Sequence, residues 1–149
     1  MTVGTIANYN VATIAASEGV VQAAARMRAE HVGDLIVVER QGSAHVPIGI
    51  LTDRDIVVAV VAKQVPPDSV TVGDAMTREL LTVREDDSLE FALREMRRHG
   101  VRRAPVVGSR GELVGVLSID DVIQHLATQF VRLADLIRLE QDAELQARP

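Results

Sequence analysis

The chain has 149 residues, enough for one compact domain or two small intimate ones, and 47% of them are apolar, enough for a core. Its formal net charge of −5 argues against a general nucleic-acid binder, and the absence of cysteine excludes disulfides, thiolate chemistry and Cys-based metal sites. Aromatics are limited to Tyr9, Phe91 and Phe130, so a flat ligand has to be gripped by aliphatic side chains and backbone rather than by stacking.

The first half opens with a short leading segment and then a helix, for which Ser17 and Glu18 supply capping groups and favourable negative charge. Two β-branched runs follow over 35–39 and 46–51, with Gly42 in the turn between them, and read as a hairpin. Residues 56–62 are apolar on every side, so periodicity leaves open whether they form a buried helix or a strand. Pro66-Pro67 then breaks the structure. The second half repeats the order. Asp86, Asp87 and Ser88 cap a helix whose apolar residues Leu89, Ala92, Leu93 and Met96 stand at i, i+3, i+4 and i+7. Runs over 104–107 and 112–117 enclose Gly111, and a helix starts at Asp121. Its apolar residues, among them Val122, Leu126, Phe130, Leu133, Leu136, Ile137 and Leu139, form a stripe. Over 121–147 that helix would run for about 40 Å at 1.5 Å per residue, longer than a small pair of domains can cover, so a second copy of the chain is the natural cover. The N-terminus lacks a charged stretch followed by an apolar one, and no apolar run reaches about 18 residues, so a cytoplasmic protein off the membrane is expected.

The two halves are copies. Shifted by 69, Thr2-Val3-Gly4 falls on Thr71-Val72-Gly73, Met27 on Met96 and Val37-Val38 on Val106-Val107. Beyond this the shift is 66 and aligns Gly49-Ile50-Leu51-Thr52 with Gly115-Val116-Leu117-Ser118, placing a three-residue insertion near Gly42-Ser43-Ala44-His45, where a loop tip would accept it. The fold class expected is α/β (α+β): two βαββα repeats packed about a pseudo-twofold axis, with two equivalent clefts where they meet and a C-terminal helix.

The sharpest motif is Gly-x-x-Thr/Ser-x-x-Asp, once per copy, between a strand and a helix. The Gly lets a ligand or another backbone come close. Thr52 or Ser118 offers a hydroxyl beside unpaired N–H groups, which suits a phosphate, and Asp55 or Asp121, one turn deeper, can accept both hydroxyls of a ribose. A single copy reads more readily as a helix N-cap; recurrence at matching positions reverses that preference in favour of a ligand. Arg102 and Arg103 stand at a strand entrance where the first copy has Gly33 and Asp34, and Arg54 answers to Asp120, so the clefts are electrostatically unequal. Arg54, Arg102 and Arg103 suit phosphate, though which cleft receives the pair stays open; Arg94, Arg97 and Arg98 read as a solvated helix face. His31, His45, His99 and His125 are scattered and form no metal set, and no nucleophile–base grouping is recognisable.

The repeat, the segments TVGDAMTRELLTVREDDSLEFALREM and GVRRAPVV, and the pair GILTDRDI and GVLSIDDV resemble the tandem cystathionine-β-synthase-type (CBS) domain pair, or Bateman module, over residues 2–127. The resemblance implies a first repeat over 2–70 with its linker, a second over 71–127 and a helical extension over 128–149. It implies a regulatory module binding an adenine nucleotide: AMP, ADP, ATP, NAD or S-adenosylmethionine. It also implies ribose at Asp55 and Asp121, ribose or phosphate at Thr52 and Ser118, and adenine bordered by Thr13, Thr82, Leu35 and Ala104. Catalytic residues, metal ligands and a required cofactor are not expected. The regulated partner would be a separate protein, because no enzyme or channel domain is attached within these residues. A ligand-free scaffold or dimerisation protein and a small nucleotide-processing enzyme are the alternatives.

Overall fold

The computed structural model describes residues 1–147, and in it each copy builds a three-stranded sheet with a helix between its first two strands. The first copy runs β1 (Thr13–Ala15), α1 (Val20–Glu30), β2 (Asp34–Gln41), β3 (Ala44–Thr52) and α2 (Asp53–Ile56). After a short α3 (Val72–Ala75), the second runs β4 (Val83–Arg84), α4 (Leu89–His99), β5 (Arg103–Val107), β6 (Leu113–Ser118) and α5 (Ile119–Ala147). In both, the first strand pairs parallel with the second and the second antiparallel with the third. This is the expected βαββα order, twice.

The helix limits follow local chemistry. Ser88 Oγ accepts from the Phe91 N–H at 3.1 Å to start α4. Both α1 and α4 stop at a left-handed residue, His31 (φ 55°) and Gly100 (φ 64°), at matching places in the repeat. Ser17 and Glu18 do not cap α1 as expected. The Glu18 carboxylate is taken by the Ala15 N–H at 2.9 Å in the preceding turn, and α1 starts after Gly19, whose N–H donates to Gln22 at 2.6 Å. Residues 56–62 resolve as helix: α2 widens into a π-helical turn over Val57–Val61, with Val60 buried and Val57, Val58 and Val61 exposed. The three-residue insertion does not swell a loop. It adds the pairs Glu39–Val46, Arg40–His45 and Gln41–Ala44 to the first hairpin, which turns at Gly42, whereas the second closes at Val107–Leu113.

The packed halves and the sequence copies differ in one respect. The leading segments are exchanged. Val3 is fully buried against Val83, Ala92 and Met96 of the second copy, and its N–H donates to the Asp87 carbonyl at 2.9 Å. Val72 is buried against Ile14, Ala23 and Met27 of the first copy, and its N–H donates to the Glu18 carbonyl at 2.8 Å. Each core is completed by the other copy's residue. The chain then crosses back along 8–12 and 77–81. On the way Asn8 pairs with Val116 of β6 and Thr77 with Ile50 of β3, so each sheet gains a bridge from the other copy.

Gly49 and Gly115 face these bridges. A Cβ at Gly49 would lie 2.7 Å from the Thr77 carbonyl oxygen, and one at Gly115 would lie 3.0 Å from that of Asn8. Of the two reasons the sequence allows for these glycines, close approach of another backbone is the one the fold uses.

Candidate functional site

The crossing segments floor two clefts between the halves, and the walls of each come from both copies. The smaller, of about 270 Å³, is lined by Asn8, Asn10, Val11 and Ala12, by Val32, Asp34 and Ile36 at the β2 entrance, and by Val116, Ser118, Asp120 and Asp121 at the start of α5. The larger, of about 700 Å³, is lined by Thr77, Glu79, Leu80 and Leu81, by Val101, Arg102 and Arg103 at the β5 entrance, and by Ile50, Thr52, Asp53 and Arg54 at the start of α2. Most lining positions of one cleft map onto the other through the repeat: Asn8 onto Thr77, Val32 onto Val101, Ser118 onto Thr52 and Asp120 onto Arg54.

Asp34 and Arg103 are repeat mates, and they form an ion pair with each other. The pseudo-twofold axis therefore passes between them, and both side chains reach both clefts. The Asp34 side chain is only 13% exposed. Its carboxyl is pushed above the usual carboxylate range by burial, an effect partly opposed by the Arg103 cation and reinforced by Asp53. Arg102 pairs with Asp120 at 3.3 Å, with both partners exposed. Arg54 joins Arg102 in the larger cleft.

The motif residues form reciprocal caps. The Thr52 N–H donates to Asp55 Oδ2 at 2.9 Å and the Asp55 N–H donates to Thr52 Oγ1 at 3.1 Å. In the second copy the Asp121 N–H donates to Ser118 Oγ at 3.1 Å, and the Ser118 hydroxyl donates to the Asp121 carboxylate. Thr52, Ser118 and Asp121 face clefts, while Asp55 is half-buried behind Thr52 and lines neither. A cap and a ligand contact are compatible here, since each carboxylate has lone pairs beyond the bonds described.

The structure does not bring Thr13, Leu35, Thr82 or Ala104 to either cleft wall. Leu35 and Ala104 are 0% exposed and belong to the two cores, because strand side chains alternate and Asp34, Ile36 and Arg103 take the cleft side. Conversely, the crossing residues Asn8, Asn10, Thr77 and Glu79 carry no sequence signal that marks them as part of the site. These pairs are dissimilar in type, and only the leading-segment exchange carries them to the site.

Among the described residues no cluster of His, Cys, Asp and Glu could hold a metal ion, and no helix is long and apolar enough to cross a membrane.

Comparison with known proteins agrees with this architecture. The sequence pattern of the CBS domain matches residues 3–62 and 72–128. An uncharacterized protein of Methanopyrus kandleri is 35% identical over 124 residues, 83% of this chain, and the match spans 62% of that relative's length. Hypoxic response protein 1 of Mycobacterium tuberculosis is 33% identical over 131 residues, 85% of this chain and 89% of its own. Its crystal structure with two coordinated zinc ions superposes with a TM-score of 0.71 over 84% of this chain and 98% of that one, at 30% identity. A CBS domain pair solved in complex with 5′-methylthioadenosine and S-adenosyl-L-methionine shares the fold, with a TM-score of 0.73 at 22% identity over 87% of this chain and 98% of that one.

Proposed function

The chain belongs to the CBS domain family as a tandem pair of repeats, and from that premise we propose a regulatory module that binds adenosine-containing ligands reversibly in its two clefts. The observation that carries this reading is the construction of each cleft from matching positions of opposite copies, with the motif residue Thr52 or Ser118 in the wall. A ligand there bridges the copies and alters how they sit against each other, which is what a sensor requires. Asp121 serves a ribose directly, and Asp55 orients Thr52 toward one. The CBS domain pair solved with two adenosyl compounds supports the ligand class. AMP, ADP, ATP, NAD and S-adenosylmethionine are the candidates, bound without turnover and signalling to a separate protein in the cytoplasm.

Titration calorimetry with adenosine, AMP, ATP, NAD and S-adenosylmethionine tests the reading, with chromatography of each ligand afterwards. Saturable heat with ligand recovered unchanged is expected. Heat with none of them contradicts binding, and recovery of a product contradicts a sensor.

We further propose a homodimer joined through α5. Only Val122 of α5 is buried, while Phe130, Leu136 and Leu139 are 71%, 62% and 65% exposed, which supports cover by a second copy.

A further inference from the structure

We infer that the clefts are divided by charge: the larger takes a ligand with a phosphate chain, and the smaller takes an adenosyl compound without one. The inference rests on the reading of both clefts as adenosyl sites and adds which ligand class each accepts. Its basis is the difference in charge between repeat mates, two of which reverse sign while a third replaces a glycine by an arginine. Arg54, Arg102 and Arg103 answer to Asp120, Gly33 and Asp34. All three arginines line the larger cleft.

The ion pairs reinforce the division. In the larger cleft Arg54 makes no ion pair among the described residues, and its backbone N–H, not its guanidinium, is held by Asp53 at 2.8 Å. Among the described residues Arg102 is tied only to the exposed Asp120, a contact that water and salt already weaken and that a phosphate can displace. Two planar guanidinium forks are therefore free to make paired, charge-assisted bonds to phosphate oxygens. Asp34, Asp53, Glu79 and Asp120 also line this cleft: Asp34 and Asp120 each face an arginine, Asp53 Oδ1 accepts from the Arg54 N–H, and Glu79 makes no ion pair among the described residues, so the larger cleft differs in offering guanidinium donors rather than in lacking carboxylates. In the smaller cleft Arg103 is the only cation in the lining among the described residues, and it is held by Asp34. Asp120 and Asp121 stand beside it, so a phosphate chain would meet carboxylates, whereas an uncharged or cationic adenosyl ligand would not be repelled. The volumes, about 700 Å³ against about 270 Å³, run the same way.

The test titrates the intact chain and the double variant Arg54→Ala/Arg102→Ala with adenosine, ATP, S-adenosylmethionine and inorganic tripolyphosphate. In the parent, ATP should bind one cleft more tightly than adenosine does, and that advantage should shrink as salt rises. S-adenosylmethionine should still bind when ATP is saturating. The double variant should lose about ten- to a hundredfold in ATP and tripolyphosphate affinity and keep adenosine within about twofold. Equal losses for ATP and adenosine, no salt dependence in the parent, or full competition between ATP and S-adenosylmethionine would overturn the division. Adenosine bound without any advantage for ATP sinks the division and leaves the adenosyl reading standing. Tripolyphosphate bound through the arginines with no adenosyl compound bound sinks the adenosyl reading instead. The salt series on the parent decides the matter even if the variant folds poorly.

Discussion

At Gly49 a methyl group would have to displace the Thr77 carbonyl, 2.7 Å away, and Met76 Sδ, 2.9 Å away. The sulfur can move, but the carbonyl cannot, because the Ile50 N–H donates to it at 3.0 Å. Gly49→Ala should therefore cost about 1–3 kcal/mol of stability, as overpacking does, and Gly115→Ala, with 3.0 Å to the Asn8 carbonyl, should cost less. Denaturant unfolding of the two variants measures both; equal stability to the parent would mean the crossing segments are loosely held. Asp34 gives a prediction with a sign in pH. Burial raises its folded pKa, so the folded state holds the proton more firmly than the unfolded chain does. The resulting penalty is absent in acid, grows as pH rises through the carboxylate range, and is complete at neutral pH. Asp34→Asn should thus match or exceed the parent's stability at pH 7, by a margin that closes as pH falls below that range; Arg103, being partly exposed, can turn to water. Thermal melts across pH check this, and a variant weaker at pH 7 would show that the pair outweighs the burial. The motif Asp residues were legible as a recurring pattern. That Asp55 sits behind Thr52 while Asp121 faces a cleft was not, because one spacing serves both a cap and a ligand contact.

The regular elements carry most of what the sequence displayed. The β-branched runs gave the hairpins and the apolar stripe gave α4, whereas the left-handed ends at His31 and Gly100 were not read from the sequence. The all-apolar stretch 56–62 could not be read, since a helix with both buried and exposed valines shows no period. Its exposed valines and the long α5 are apolar surface without cover in one chain. A chain ending at Ala127 should keep its ligand binding and fold while moving from dimer to monomer in light scattering; an intact chain that is monomeric would remove the proposed role of α5. The short α3 is an element on which a core depends. The Thr71 N–H at 2.9 Å and the Thr71 hydroxyl at 2.8 Å both donate to Asp74 Oδ2 and hold that carboxyl below its usual range, while the Asp74 N–H donates back to Thr71 Oγ1 at 3.2 Å; together they place Val72 in the first core. Thr71→Ala should cost about 1 kcal/mol, and a melting temperature equal to the parent's would contradict that.

In the whole molecule the two halves cannot be separated along the sequence repeat, because Val3 belongs to the second core and Val72 to the first. The repeat itself was plain in the sequence, but the exchange was not: residues that match by sequence say nothing about which partner they pack against. The exchange also builds the clefts, since the chain must cross between halves twice, and the pseudo-twofold axis at the Asp34–Arg103 pair makes those clefts related in shape yet unlike in charge. Whether both clefts receive adenosyl ligands is decided by native mass spectrometry of the intact chain titrated with adenosine, which counts bound molecules per chain. Two per chain are predicted at saturation, the second lost in a variant carrying Asp121→Ala. A chain that stays bare at saturating adenosine, or whose occupancy is indifferent to Asp121, contradicts adenosyl binding in both clefts.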